Sequence, residues 1–165
     1  MCRITLCTFR SGGELMAWQP YDLDHLAQEI VLKARSRDKS EKKTSLNQAY
    51  KMRAACAYGL ERFWGEHLRL ADKKSSQEDR DKAAFIADVW TAFVGLMAKA
   101  DIKLPGTMLS CSATEEEIQS VCEHLWKLGN QELKEQQACL AVLTSLCDAV
   151  VWWTQRLKPG KSGDI

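Results

Sequence analysis

Apolar residues along this chain recur at helical spacing, with few runs that alternate as a strand would. Over 22–37, Leu23, Leu26, Ala27, Ile30, Val31 and Ala34 fall at i, i+3, i+4, i+7, i+8 and i+11. That is the stripe of a helix docked along one side. Asp22 stands where an N-cap belongs. Arg35 to Lys43 contains no apolar residue and reads as a charged, solvated linker. A second helix is expected over 46–71, capped by Ser45, with Leu46, Ala49, Tyr50, Arg53, Ala57, Leu60, Trp64, Leu68 and Ala71 along one face. Gly59 and Gly65 interrupt it, and each marks a weak or closely packed point.

The third helix, 77–100, is apolar on more than one face, through Ala83, Ile86, Val89, Trp90, Phe93, Leu96 and Met97. It is therefore the expected centre of the fold. Ser75-Ser76-Gln77-Glu78 fits a capping box at its start. A loop with the turn pair Pro105-Gly106 follows over 101–113. Thr114-Glu115-Glu116-Glu117 is a second capping box, opening a fourth helix that Gly129 is expected to close. A fifth helix runs over about 131–157. The expectation is an all-α, single-domain bundle of about five helices over 21–158. An N-terminal arm with little structure of its own (1–20, with Trp18 as an anchor) and a flexible tail (159–165) flank it.

The composition fits an ordinary globular chain: 165 residues, 45% hydrophobic and 27% charged. Such a length needs neither disulfide nor metal to bury a core. No continuous run of about 18 apolar residues occurs, so no membrane-spanning helix is expected. The first residues are too polar for a signal peptide. The seven cysteines are then expected as thiols in a reducing cytoplasm, mostly packed as small hydrophobes. No Cys-x-x-Cys pair is present, and Cys122 with His124 is a poor match to zinc spacing. Glu115, Glu116 and Glu117 read as dipole-compensating residues before they read as a metal cluster. Gly160-Lys161-Ser162 ends like a phosphate-binding loop but lacks the upstream glycine and the following helix. No cofactor or metal is expected.

Charge changes the picture more than composition does. The formal total is +1, yet residues 1–53 hold ten basic and six acidic side chains, while 114–165 hold five and eight. Between Lys33 and Arg53 eight basic residues face only Asp38 and Glu41. That density suits a phosphate backbone, with Arg35, Arg37, Lys42, Lys43, Lys51 and Arg53 as the candidate contacts. Trp152 and Trp153 are adjacent and point about 100° apart on a helix. Only one can be wholly buried against a single neighbour, so the pair is the candidate contact with a partner protein.

Two resemblances to known families bear on function. Gln48, Arg53-Ala54-Ala55 and Ala57 give a Gln-x-x-x-x-Arg-Ala-Ala-x-Ala pattern. Trp90-Thr91-Ala92-Phe93-Val94-Gly95-Leu96-Met97-Ala98-Lys99 and an apolar last helix carrying Trp152, Trp153 and Arg156 accompany it. Together they resemble the small helical subunit of type III, Cmr-branch, CRISPR RNA-guided effector complexes, loosely over 45–157. The Pro and Asn-Gly elements expected before that family's middle helix are missing. The resemblance implies a cytoplasmic, non-catalytic subunit that contacts RNA backbone through Arg53 and Lys51 and stacks on other subunits, with self-association possible. The string Arg62-x4-His67 resembles the catalytic signature of HEPN ribonucleases, although Phe63 stands where that family often has a polar residue. It implies a rival reading as a helical ribonuclease acting through Arg62 and His67. A helical adaptor that binds only protein is the third reading.

Overall fold

A computed structural model describes residues 22–159, apart from 73, 107, 110 and 111. The expected arm over 1–20, nearly all of the tail, and Cys2, Cys7 and Cys111 lie outside the described residues. Among the described residues there are six α-helices and no strand. They are α1 (Leu23–Arg37), α2 (Gln48–Ala55), α3 (Leu60–Leu70), α4 (Gln77–Ala98), α5 (Glu115–Gln131) and α6 (Leu133–Leu157). The chain is an all-α bundle, as its periodicity implies. α1 packs along α6 and touches α4; α2 packs on α6 and α4; α3 lies on α4, and α5 on α6 and α3.

α4 occupies the centre. Phe85, Ile86, Val89, Trp90 and Phe93 are fully buried along it, and burying each such side chain stabilises the fold by about 1.5–3 kcal/mol. Phe63 of α3 stacks on Trp90 with ring centroids 6.0 Å apart, and Phe93 tilts against the same indole at 5.4 Å. The Trp90 Nε1–H donates to the Pro105 carbonyl at 2.9 Å, so the connection after α4 is tied down by the core tryptophan.

The single helix expected over 46–71 is two helices. Thr44–Asn47 and Cys56–Tyr58 are 3₁₀ turns on either side of α2, and the chain breaks at Gly59, with φ +108° and ψ 167°. This backbone region is essentially glycine-only. The break also rephases the buried face. Leu46, Ala49, Met52 and Cys56 are buried before it, and Leu60, Phe63, Trp64, His67 and Leu70 after it, while Tyr50 is exposed.

Caps differ too. Thr114 Oγ1 accepts from the Glu117 amide (3.2 Å) and Glu117 Oε2 from the Thr114 amide (2.9 Å), a complete capping box. α4 is capped one residue later than expected, by Ser76, whose Oγ accepts from the Asp79 amide. Asp22 precedes α1 but adopts left-handed backbone, and its carboxylate lies 3.3 Å from the His25 ring rather than on a helix amide. Gly129 does not end α5, which runs two residues further; a Cβ there would sit 2.7 Å from Gln136 Nε2, so this glycine marks a close approach to α6.

α6 is 25 residues long and, by length and composition alone, apolar enough to cross a membrane, although it is not one continuous apolar run. Its apolar surface is partly spent inside the bundle: Cys139, Leu143, Leu146, Cys147, Val150 and Thr154 form one buried face.

Candidate nucleic-acid and partner interface

The charged stretch after α1 is an ordered turn built around one carboxylate. Asp38 is 3% exposed. Its Oδ1 accepts from the Ser40 amide (2.9 Å) and hydroxyl (2.6 Å), and its Oδ2 from the Ser45 amide (2.8 Å) and hydroxyl (2.5 Å). Burial by itself raises a carboxyl pKa, but these four donors outweigh it and hold Asp38 below the usual aspartate range. Ser45 is therefore consumed by Asp38 and caps no helix. Lys43 closes the turn in left-handed backbone, with Nζ donating to the Asp38 carbonyl.

The turn divides the six candidate backbone contacts into two groups. Arg37 and Lys33 both reach Asp88 of α4, with Nη2 to Oδ2 and Nζ to Oδ1 each at 2.7 Å. Arg53 Nε pairs with Asp148 of α6. Arg37, Lys43 and Arg53 thus hold structure together. Arg35, Lys42 and Lys51 are exposed, as is Lys39, and none has an ion-pair partner among the described residues. Arg35 also sits in the last turn of α1, where a cation is favoured by the helix dipole.

Trp152 is 46% exposed, and Arg156 covers one face of its indole, 3.5 Å from the ring centre. Trp153 meets Trp152 edge-on at 4.8 Å and is half-buried. The two line an open, largely apolar groove of about 540 Å³ with Leu23, Asp24, Asp148 and Ala149. The adjacent pair thus divides as its helical spacing implies, one ring outward and one inward.

Arg62 and His67 do not converge. Five helical positions place them about 140° apart. Arg62 is exposed and lies over the Tyr58 ring at 5.7 Å. His67 is 3% exposed; Nδ1 meets the Trp64 carbonyl and Nε2 the Leu109 carbonyl at 3.0 Å. Burial pushes its pKa below the ordinary histidine value despite the two carbonyls, which act in the other direction. No ring nitrogen is left to meet a substrate.

Comparison with protein-family models, curated proteins and solved structures finds no match to this chain.

Among the described residues no group of three or more His, Cys, Asp or Glu could hold a metal ion. His124 Nε2 lies 3.1 Å from the Lys103 carbonyl, whereas the Cys122 thiol is pushed up first by burial and then by Glu61. The two face different neighbours. Sequence reasoning missed Asp38, Asp88 and Asp148 as organisers of the basic region. For Asp38 a signal existed: Asp-x-Ser is a side-chain turn pattern. For the two distant carboxylates there was none.

Proposed function

We propose that this chain is a non-catalytic, cytoplasmic helical subunit that contacts nucleic-acid backbone and neighbouring proteins. The observation that carries the reading is the set of exposed cations without ion-pair partners among the described residues: Arg35, Lys39 and Lys42 on or beside an ordered turn, and Lys51 on α2. A fixed turn presents charge at lower entropic cost than a free linker does. The resemblance to the small subunit of type III CRISPR effector complexes supplies the class of assembly, with a guide–target duplex as the nucleic acid and other subunits as protein neighbours. The ion pairs of Arg37 and Arg53 and the hydrogen bond of Lys43 shift the emphasis within the candidate residues. Arg35, Lys42 and Lys51 make the contacts, while Arg37, Lys43 and Arg53 position them. Trp152 and its groove favour the accompanying protein contact, because a half-exposed indole beside apolar walls is the kind of anchor that dominates interfaces.

Binding to single-stranded RNA and to an RNA–RNA duplex across a salt series tests the reading. Each neutralised phosphate on a single strand should contribute about −0.7 to the slope of log K against log salt. Lys42→Ala and Lys51→Ala should each flatten that slope. Salt-independent, negligible binding that ignores both substitutions, with the chain alone and with its co-purified partners, rejects it in favour of a protein-only adaptor. RNA cleavage abolished by His67→Ala would instead favour the ribonuclease reading; a buried, engaged His67 argues for no cleavage.

A further inference from the structure

One face of α2 and its closing 3₁₀ turn is uncovered. Ala49, Met52 and Cys56 turn into the core, while Tyr50, Lys51, Ala54, Ala57 and Tyr58 are exposed. Tyr50 is 44% exposed and Tyr58 64%. Tyr50 meets no other ring and makes no hydrogen bond among the described residues. Lys51 and Tyr58 are seven positions apart, so the ammonium and the ring lie on one stripe, two turns apart. α3 begins directly after the Gly59 turn, and its exposed Arg62 lies over the Tyr58 ring, 5.7 Å from the centre. Two exposed rings and two cations therefore share this surface. No acidic residue occurs from Gln48 to Tyr58. The carboxylates that reach this region are turned elsewhere. Asp148 pairs with Arg53, and Glu61 folds onto Gly59, where an added Cβ would lie 2.8 Å from its Oε2.

We propose that this face binds unpaired nucleotides, stacking one base on Tyr50 and another on Tyr58. The inference rests on the nucleic-acid reading above and deepens it by naming the state of the strand. Every base has a π face, and aromatic side chains on a basic surface receive those faces when the strand is single. In a duplex the same faces are already stacked and closed to a side chain. Ala54 and Ala57 place no long side chain between the rings, so a flat base can settle on either. Lys51 and Arg62 stand beside the rings to meet phosphates. Protein interfaces also use tyrosine, but they are depleted in lysine, and a surface with two cations and no carboxylate favours a polyanion.

Tyr50 and Tyr58 are eight residues apart, about 12–14 Å along the helical axis. No single base reaches both, so the two rings act separately. A stacked strand rises about 3.4 Å per nucleotide, and the pair spans about four nucleotides.

The experiment titrates the full-length chain, alone and with its co-purified partners, with a fluorescent RNA of about 12 nucleotides that cannot pair with itself. The same strand annealed to its complement is one control, and a strand with abasic riboses at its centre is another. Tyr50→Ala and Tyr58→Ala should each weaken single-strand binding about fivefold or more, and the two losses should multiply in the double variant. The slope of log K against log salt should stay the same, because no phosphate contact is removed. Tyr50→Phe and Tyr58→Phe keep the ring and should bind as wild type does. Duplex binding should ignore all four substitutions. The abasic strand should bind wild type about as weakly as the intact strand binds the double Ala variant. Circular dichroism melts check the fold of each variant; the abasic comparison needs only wild type and decides the matter if a variant misfolds. Single-strand binding that weakens with Lys51→Ala yet ignores the tyrosines and the missing bases overturns stacking and leaves the phosphate reading in place. Equal losses on single strand and duplex overturn it as well. Binding that is negligible at every salt concentration rejects both readings.

Discussion

Replacing Asp38 by Ala tests whether the basic turn is built from within. The carboxylate accepts four hydrogen bonds, two from Ser40 and two from Ser45. Ser40 is exposed, and water replaces Asp38 there at little cost. Ser45 is wholly buried, so its amide and hydroxyl would lose a charged acceptor without gaining solvent. Bonds to a charged group contribute about 1.5–3 kcal/mol each, and the cost of burying the carboxylate offsets part of that. The expected loss is about 2–4 kcal/mol. With a urea m-value of about 2 kcal/mol per molar, the midpoint should fall by about 1–2 M. The pH dependence adds a second check. The folded pKa of Asp38 is lowered, so its contribution is full above the unfolded value near 4 and is lost as pH falls through the folded value. Urea melts followed by circular dichroism at pH 7 and near pH 3 should show the wild type losing more stability than Asp38→Ala on acidification. A cost below about 0.5 kcal/mol at pH 7, the range of an ordinary surface change, would refute the reasoning.

Gly59→Ala should destabilise by about 1–3 kcal/mol because no L side chain favours its backbone, whereas Gly65→Ala, with open space around a Cβ in mid-helix, should stabilise by up to about 1 kcal/mol; thermal melts of the pair distinguish them. In NMR titrations His67 should take up its proton at a lower pH than a histidine of the unfolded chain does. Because its folded pKa is depressed, the unfolded chain takes the proton first, so the His67 contribution is complete above about pH 6.5 and declines as pH falls through that value. Trp90→Phe should cost about 1–3 kcal/mol, from the lost bond to the Pro105 carbonyl and the smaller ring, read from urea melts.

Periodicity revealed the helices wherever an apolar stripe ran unbroken. α1, α4, α5 and α6 lie where their patterns place them, and Thr114–Glu117 is a complete capping box. The break at Gly59 was visible only as a weakness. One glycine in a helix costs about 1 kcal/mol, which packing often overrides, and only its actual φ settles whether the chain turns. The candidate site was harder to read for a different reason. Counting charge between Lys33 and Arg53 finds eight cations but cannot see Asp88 and Asp148, which come from α4 and α6 and engage Lys33, Arg37 and Arg53. His67 was legible in principle. Leu60, Trp64, His67 and Leu70 follow helical spacing, so the apolar face predicts its burial, against the catalytic reading of Arg62-x4-His67.

α5 is anchored differently from its neighbours. Of its 17 residues only Leu125 and Leu128 are buried, against nine buried positions in the 22 of α4. A helix held by so little core should open without the rest of the molecule. In native-state hydrogen exchange its amides should then report a sub-global transition of lower free energy, while the α1, α4 and α6 amides exchange only through complete unfolding. The N-terminal turn of α5 is stabilised locally by the Thr114 box, so it should outlast the middle of the helix. The chain would then be one cooperative unit carrying a separable sixth part, and a single melting temperature would describe the first without describing the second.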